Sequence, residues 1–243
     1  MTKPFEGQIA LVTGAGRGIG AATAKRLAAD GAHVVLTART AKELERVEEE
    51  IFEAGGSATI APMDLTDGDN IGRLASALSQ RWDALDILVL NAGTLGSLTP
   101  VSQIDAKQFS EVMTLNLMAN QAMLAAFDSM LKASKDARVV ALTSSVGEKP
   151  RAYWGAYGAS KAALDTLIAA YADEVRNISN IRVAIVDPGA TRTKMRSRAY
   201  PGEDPMTVKK PATVADAIAD FLNQDFETGA RVRFNNIGED QTA

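Results

Sequence analysis

The sequence predicts an α/β protein, a doubly wound parallel sheet of about seven strands with helices on both faces, layered as a three-layer sandwich. Two observations predict it. Short apolar runs alternate with helix-length segments along the chain, which is the pattern of a parallel sheet covered on both sides. The first of those runs, Ile9–Val12, leads into four glycines within seven residues (Gly14, Gly16, Gly18 and Gly20) and then into a helix. A chain of 243 residues that is 46% hydrophobic has enough material for one sizeable core.

In chain order, the runs Ile9–Thr13, His33–Ala38, Ala58–Ala61, Ile87–Leu90, Arg138–Thr143, Arg182–Val186 and Val232–Phe234 read as strands. The intervening helices read as Ile19–Ala29, Ala41–Ala54, Asn70–Trp82, Ala106–Ala133, Ala156–Arg176 and Val214–Leu222. No internal repeat or low-complexity linker interrupts them, so residues 1–243 read as one domain with a small insertion around 190–210. Net charge is −4, which offers no general attraction to nucleic acid or an anionic membrane. No apolar run reaches the ~20 residues that span a bilayer, and the polar segment Met1–Gln8 lacks a signal-peptide core, so a cytoplasmic protein is expected. The chain has no cysteine and one histidine, His33, which reads as structural. These counts argue against thiolate chemistry, a histidine triad and a multi-histidine metal site.

The glycine segment Thr13-Gly14-Ala15-Gly16-Arg17-Gly18-Ile19-Gly20 joins a buried strand to a helix. Such a turn lets backbone approach phosphates, and the free N–H groups at the helix start supply donors. The spacing is T-G-x-x-x-G-x-G. G-x-G-x-x-G is not met, because Ile19 stands at its last glycine position. Further along, Tyr157 and Lys161 stand four residues apart, with Ser144 thirteen residues before Tyr157. On a helix that spacing puts both side chains on one face. An ammonium beside a phenol favours the phenolate, so Lys161 is expected to lower the pKa of Tyr157 from its ordinary ~10. A tyrosine so tuned exchanges a proton with an alcohol or carbonyl oxygen, and Ser144 would hold that oxygen. An amphipathic surface pair is the alternative for the two residues taken alone.

Together with Asp64-Leu65, Asn91-Ala92-Gly93, Asn116 and Pro188-Gly189-x-Thr191, these motifs resemble the short-chain dehydrogenase/reductase family, in order and spacing over nearly the whole chain. Within it, the segments Trp154-Gly155-Ala156-Tyr157, 191–196, Ala199-Tyr200-Pro201 and Glu203-Asp204-Pro205 most resemble the bacterial YciK-like oxidoreductases. Leu90 departs from the pattern, standing where many members have an asparagine before Asn91.

The resemblance implies a Rossmann-type fold and a hydride transfer between a nicotinamide and a carbonyl or secondary alcohol. Tyr157 would be the general acid/base, Ser144 the oxygen-holding group and Lys161 a bond to the nicotinamide ribose. Asn116 would hold a water linking Lys161 to solvent; facing solvent or satisfying a neighbouring carbonyl is its alternative. Thr13, Gly14, Gly16, Arg17, Gly18, Ile19 and Gly20 would cradle the cofactor phosphates. Asp64 and Leu65 would lie by the adenine, with helix capping as the other role for Asp64. Asn91, Ala92 and Gly93 would lie along a ribose. Pro188 and Gly189 would form the loop after strand six, with Thr191 on the carboxamide.

Ala38 stands where NAD-preferring members carry Asp, and Arg17 and Arg39 suit a 2′-phosphate, so NADP(H) is expected over NAD(H). The expected partner is a small carbonyl or alcohol. A homodimer or homotetramer is expected from the apolar helices 106–133 and 156–176, with intrachain packing as the other explanation. Trp154, Tyr153, Leu95 and Val146 are candidates for pocket walls, with core packing as the competing reading for each. Six cations (Arg192, Lys194, Arg196, Arg198, Lys209 and Lys210) face two carboxylates (Glu203 and Asp204) in the segment 190–210. They either recruit an anionic substrate or form a solvated face. A non-catalytic nucleotide sensor, an assembly protein and a 3-oxoacyl-carrier reductase stay open as alternatives.

Overall fold

A computed structural model describes residues 3–234. Its centre is a seven-stranded, wholly parallel sheet in the order β3-β2-β1-β4-β5-β6-β7. The strands are β1 (Ile9–Thr13), β2 (His33–Ala38), β3 (Ser57–Pro62), β4 (Ile87–Leu90), β5 (Ala137–Leu142), β6 (Ile181–Asp187) and β7 (Ala230–Arg233). The helices between them are α1 (Gly18–Ala29), α2 (Ala41–Glu53), α3 (Gly68–Ser79), α4 (Ala106–Met113), α5 (Ala119–Ala133), α6 (Ser145–Glu148), α7 (Gly155–Val175), α8 (Lys194–Ala199) and α9 (Pro211–Leu222).

Period-two alternation along the strands divides the core. Ala10, Val12, Val34, Leu36, Val140 and Val186 point to one face, where α1, α2 and α9 pack. Leu11, Val35, Leu88, Val139, Val183 and Ile185 point to the other, against α3, α5 and α7. Strands buried on both faces must be apolar at every position, which is why they stand out in the sequence. The chain winds outward from β1 to β3, then returns past β1 to begin β4. That reversal opens a crevice at the carboxyl ends of β1 and β4, the place where such sheets bind ligands.

Two elements differ from expectation. The segment 106–133 is not one helix. It breaks into α4, one π-helical turn (Thr114–Met118) and α5. The widened turn carries Asn116 inward, and the Asn120 side-chain amide donates to the Asn116 carbonyl at 2.8 Å. Helix α3 starts at Gly68 because Asp67, not Asp64, caps it, accepting from Asp69 N–H at 3.0 Å. Among the described residues no helix is long and apolar enough to cross a membrane.

His33 is structural, as expected. Its ring nitrogens sit 3.0 Å from Ser57 Oγ and 2.9 Å from Thr59 Oγ1, and the ring lies 5.1 Å from that of Trp82. Burial, and then the charge of Arg81, hold the imidazole below its ordinary value. The folded protein therefore resists a proton that the unfolded chain takes up near ~6.5. His33 costs no stability at neutral pH, and stability is lost as pH falls through that value. We expect the denaturation midpoint to drop between about pH 7 and about pH 5, and His33→Asn to flatten part of the drop. An identical drop in both proteins would show that the imidazole carries none of it.

Candidate active site

One cleft of about 1020 Å³ lies over the carboxyl ends of the strands. The glycine turn forms one end. Thr13 is fully buried beneath it, its hydroxyl donating to Val89 O at 3.2 Å and accepting from the N–H groups of Asn91 (2.9 Å) and Ala92 (3.0 Å). Asn91 Nδ2 returns the contact, donating to Thr13 O at 2.7 Å and Gly14 O at 3.3 Å. Gly14 takes φ +65°, and a side chain there would meet Asn91 Nδ2 at 2.8 Å. At Gly20 a side chain would meet both Asn91 Nδ2 and Gly14 O well inside contact distance, so the close approach requires glycine.

Gly14, Gly16, Arg17, Gly18 and Ile19 line the cleft, whereas Thr13 and Gly20 brace it from behind. Helix α1 has no side-chain cap at Arg17, so its first N–H groups keep their donor capacity toward the cleft. A glycine-rich turn, uncapped amides and a deep cleft together fit the pyrophosphate of a dinucleotide.

Beyond the turn, Ala38, Arg39, Asp64, Leu65, Ala92, Gly93, Pro188, Gly189 and Thr191 also line the cleft. Asp64 accepts from Thr66 N–H at 3.0 Å and Thr66 Oγ1 at 2.8 Å; these bonds, with Arg39's charge adding, hold its carboxyl below the usual range. Glu43, which sequence reasoning passed over, also lies here, 3.6 Å from Arg17 Nη1. Thr191 is buried and its hydroxyl donates to Gly189 O at 3.1 Å. The threonine that faces the glycine turn is Thr193, whose Cγ2 would lie 3.4 Å from a side chain at Gly18.

Ser144, Tyr157 and Lys161 meet in the same cleft. The helical rise of α7 brings the last two together, and Ser144 ends the loop after β5. Tyr157 is 8% exposed and Lys161 4%. Lys161 Nζ donates to Leu142 O at 2.7 Å and stands 5.9 Å from the phenol ring centre. The expectation that it lowers the phenol is not met in this geometry. Burial pushes Tyr157 up to about 12, Asp187 adds to the rise, and Ser144 hydrogen bonding only partly opposes it. Burial pushes Lys161 down to about 8, against the attraction of Asp165.

Asn116 does not line the cleft. It is fully buried, accepting from Thr94 N–H at 2.7 Å and donating to Thr94 O and Ser160 Oγ, each at 2.9 Å. Its amide is thus occupied in holding the loop that follows Gly93, the neighbour-satisfying alternative, and not turned to solvent. Asp187 and Arg233 were missed by sequence reasoning. Asp187 accepts from Gly189 N–H at 2.9 Å and Arg233 Nε at 3.0 Å, and Arg233 Nη2 reaches Glu148 at 2.5 Å. One arginine of β7 thereby ties the loop after β6 to the helix that follows Ser144. No local motif announces a contact between residues so far apart in sequence.

The wall candidates separate. Trp154, Leu95 and Val146 line the cleft, but Tyr153 is 59% exposed and takes φ +72°, a strained turn costing about 1–3 kcal/mol just before α7.

A dinucleotide crevice with a Ser–Tyr–Lys set at its reactive end defines an oxidoreductase of the short-chain type. The family model described as short chain dehydrogenase matches residues 8–204, and the chain belongs to that family. It is thereby an NAD(P)-dependent oxidoreductase acting on CH–OH or C=O groups. Among its relatives, the uncharacterized oxidoreductase YciK of Escherichia coli K12 is 36% identical over 210 residues, covering 85% of this chain and 82% of that protein. A fatty acyl-CoA reductase of Acinetobacter baylyi is 39% identical over 173 residues, covering 70% of this chain and 58% of that protein. The solved structure of E. coli YciK superposes with a TM-score of 0.90 at 34% identity, covering 96% of this chain and 97% of that one. A short chain dehydrogenase from Shigella flexneri, complexed with NADP, superposes with a TM-score of 0.91 at 34% identity, covering 96% and 99%.

Proposed function

We propose that this chain reduces a carbonyl, or oxidises the matching secondary alcohol, with NADP(H), and that Tyr157 exchanges the proton. The carrying observation is the convergence of Ser144, Tyr157 and Lys161 with the glycine turn in one cleft. When bound, the nicotinamide supplies or accepts the hydride. In reduction the carbonyl carbon gains that hydride, and its oxygen gains negative charge. The Ser144 hydroxyl donates to the oxygen, and Tyr157 transfers its phenolic proton to it. Lys161 places a cation beside the developing charge and is suited to hold a ribose hydroxyl. Asn116, through Thr94, keeps the Asn91–Gly93 loop in position.

The raised phenol stays protonated at neutral pH, so it is ready as an acid. In oxidation it must first lose its proton, so the oxidative rate should climb with pH while the reductive rate does not. Tyr157→Phe should lower kcat in either direction by ~10²–10⁴, with NADPH affinity retained. Turnover near wild type in that variant would remove the proton-transfer role.

The NADP(H) preference rests on Arg39 at the end of β2, where Ala38 presents no carboxylate, and on Arg17 in the glycine turn. Glu43 pairs only loosely with the half-exposed Arg17, so a 2′-phosphate can replace it. The solved Shigella relative complexed with NADP supports binding of NADP in a cleft of this kind. Replacing Ala38→Asp together with Arg39→Leu should cost NADPH about 10–100-fold in kcat/KM relative to NADH, since bonds to a charged group are worth about 1.5–3 kcal/mol. An unmoved ratio would assign the preference elsewhere.

The same reading makes the chain one catalytic unit, with α8 and the following turn as a lid. It also takes the exposed Phe109 and Met118 on the α4–α5 segment as part of a subunit contact. Light scattering should give a dimer or tetramer, and a monomer at high concentration would exclude it.

A further inference from the structure

The cleft continues past the reacting groups along a wall that carries Trp154, against which Tyr200 packs without itself lining the cleft. The Tyr157 and Trp154 rings stand edge-on with centres 5.9 Å apart, and the Trp154 and Tyr200 rings lie 5.7 Å apart. Leu95, Val146, Met195 and Ala199 complete an apolar surface around Tyr157 and Trp154. This surface begins at the proton donor and ends among cations. Arg151 donates to the Tyr200 hydroxyl at 3.0 Å, and the Arg196 guanidinium lies 3.7 Å above the Tyr200 ring. Lys194 and Arg198, one helical turn apart on α8, line the cleft along with Arg151.

The charges at this end are unequally used. Arg196 is committed to Glu203 through two bonds. Arg151, Lys194 and Arg198 have no ion-pair partner among the described residues. No carboxylate of the cleft lining belongs to α8 or to the turn before α7; its acids are Glu43, Asp64 and Asp187, the first two at the glycine-turn end and the third tied to Arg233. Arg17 and Arg39 stand apart, at the glycine turn and the end of β2, so the cations of the lid are surplus to a cofactor phosphate site there. A purely solvated face would not need to adjoin an apolar wall that starts at the catalytic phenol.

We propose that Arg151, Lys194 and Arg198 bind the anionic end of an amphiphilic substrate. Its apolar body lies along Leu95, Trp154 and Met195, and its carbonyl reaches Ser144 and Tyr157. The ligand class is a carbonyl compound with an apolar chain ending in a carboxylate or phosphate. The site of reaction rests on the oxidoreductase reading above; the charge recognition does not.

Binding can be measured apart from chemistry. Calorimetry on the NADP⁺-loaded enzyme would compare phenylbutanoate with its neutral isostere phenylbutanamide. Phenylbutanoate should bind about tenfold tighter at low salt, and the gap should close as salt rises, because exposed charges are screened. Phenylbutyl phosphate in place of the carboxylate tests which anion the rim prefers, and a preference for either over the amide supports the proposal. In the Lys194→Gln/Arg198→Gln double variant, with folding checked by its melting temperature, the preference should fall to parity. A destabilised double variant would be replaced by Arg151→Gln, for which a several-fold loss of the same preference is expected.

Equal binding of acid, phosphate and amide by the wild type, failure of all three to bind, or a preference untouched by the variants would overturn the inference. A kinetic arm separates it from the parent reading. Reduction of an ω-oxo fatty acid and its methyl ester at the same kcat/KM would sink the charge site while leaving the oxidoreductase standing. A charge preference in binding, with no aldehyde or ketone reduced, would do the reverse.

Discussion

The hydroxyl of Thr13 is the point on which the cleft depends. It sits at the sheet's reversal and joins β1 to β4 through three hydrogen bonds, to Val89 O and from the N–H groups of Asn91 and Ala92. Asn91 answers by bonding Thr13 O and Gly14 O. The loop after β1 and the loop after β4 are thus one object. Each buried bond is worth about 0.5–1.5 kcal/mol net, but a buried partner left unmade costs about 1–3 kcal/mol, so the cluster resists piecemeal loosening. It also explains the glycines more closely than phosphate contact does. Gly20 lies behind the cleft, and its missing side chain makes room for Asn91.

Two further tethers place the reactive end. Asn116, carried inward by the π turn, grips Thr94 by both its backbone N–H and its carbonyl, and holds Ser160 on α7. That bond pins the helix bearing Tyr157 and Lys161 to the loop bearing Gly93, where a side chain would sit 3.2 Å from Asn116 Oδ1 and 3.8 Å from Lys161 Nζ. On the other side, Arg233 bridges Asp187 and Glu148. Loops from β4, β5 and β6 therefore reach the cleft already fixed to each other, so the groups there need little reorganisation to act together.

What could be read from the sequence follows from locality. The five inner strands were legible because burial on two faces forces continuous apolar runs, the part-exposed edge strands β3 and β7 because short apolar runs still bound them, and all their ends shifted by only a residue or two. The glycine turn and the Tyr157–Lys161 pair were legible for the same reason, since their chemistry lies within one turn of chain. The break in 106–133 was not legible. A π turn preserves apolar spacing well enough to read as one helix, and its cause, the reach of Asn116 to Thr94, lies 22 residues away. Arg233 with Asp187 is 46 residues apart and was invisible for the same reason. The phenol's shift was misjudged because the sequence shows that a lysine is near but not how deeply both groups are buried, nor that Lys161 faces Leu142 O.

Those two shifts bear on the direction in which the site is poised. Burial disfavours charge on either group, raising the phenol to about 12 and lowering the ammonium to about 8. Burial thereby favours the neutral, protonated phenol of Tyr157 and makes the Lys161 ammonium easier to discharge than that of a solvated lysine. The nearby acid that opposes a negative charge at the phenol is Asp187, and it is held by Arg233 and the Gly189 amide. Under the proposed function, a carbonyl oxygen held between Ser144 and Tyr157 would meet two hydroxyl donors near a buried cation. With the proposed role of Tyr157 the phenol is uncharged at rest, and the cost of burial falls on the ammonium of Lys161, which burial already disfavours.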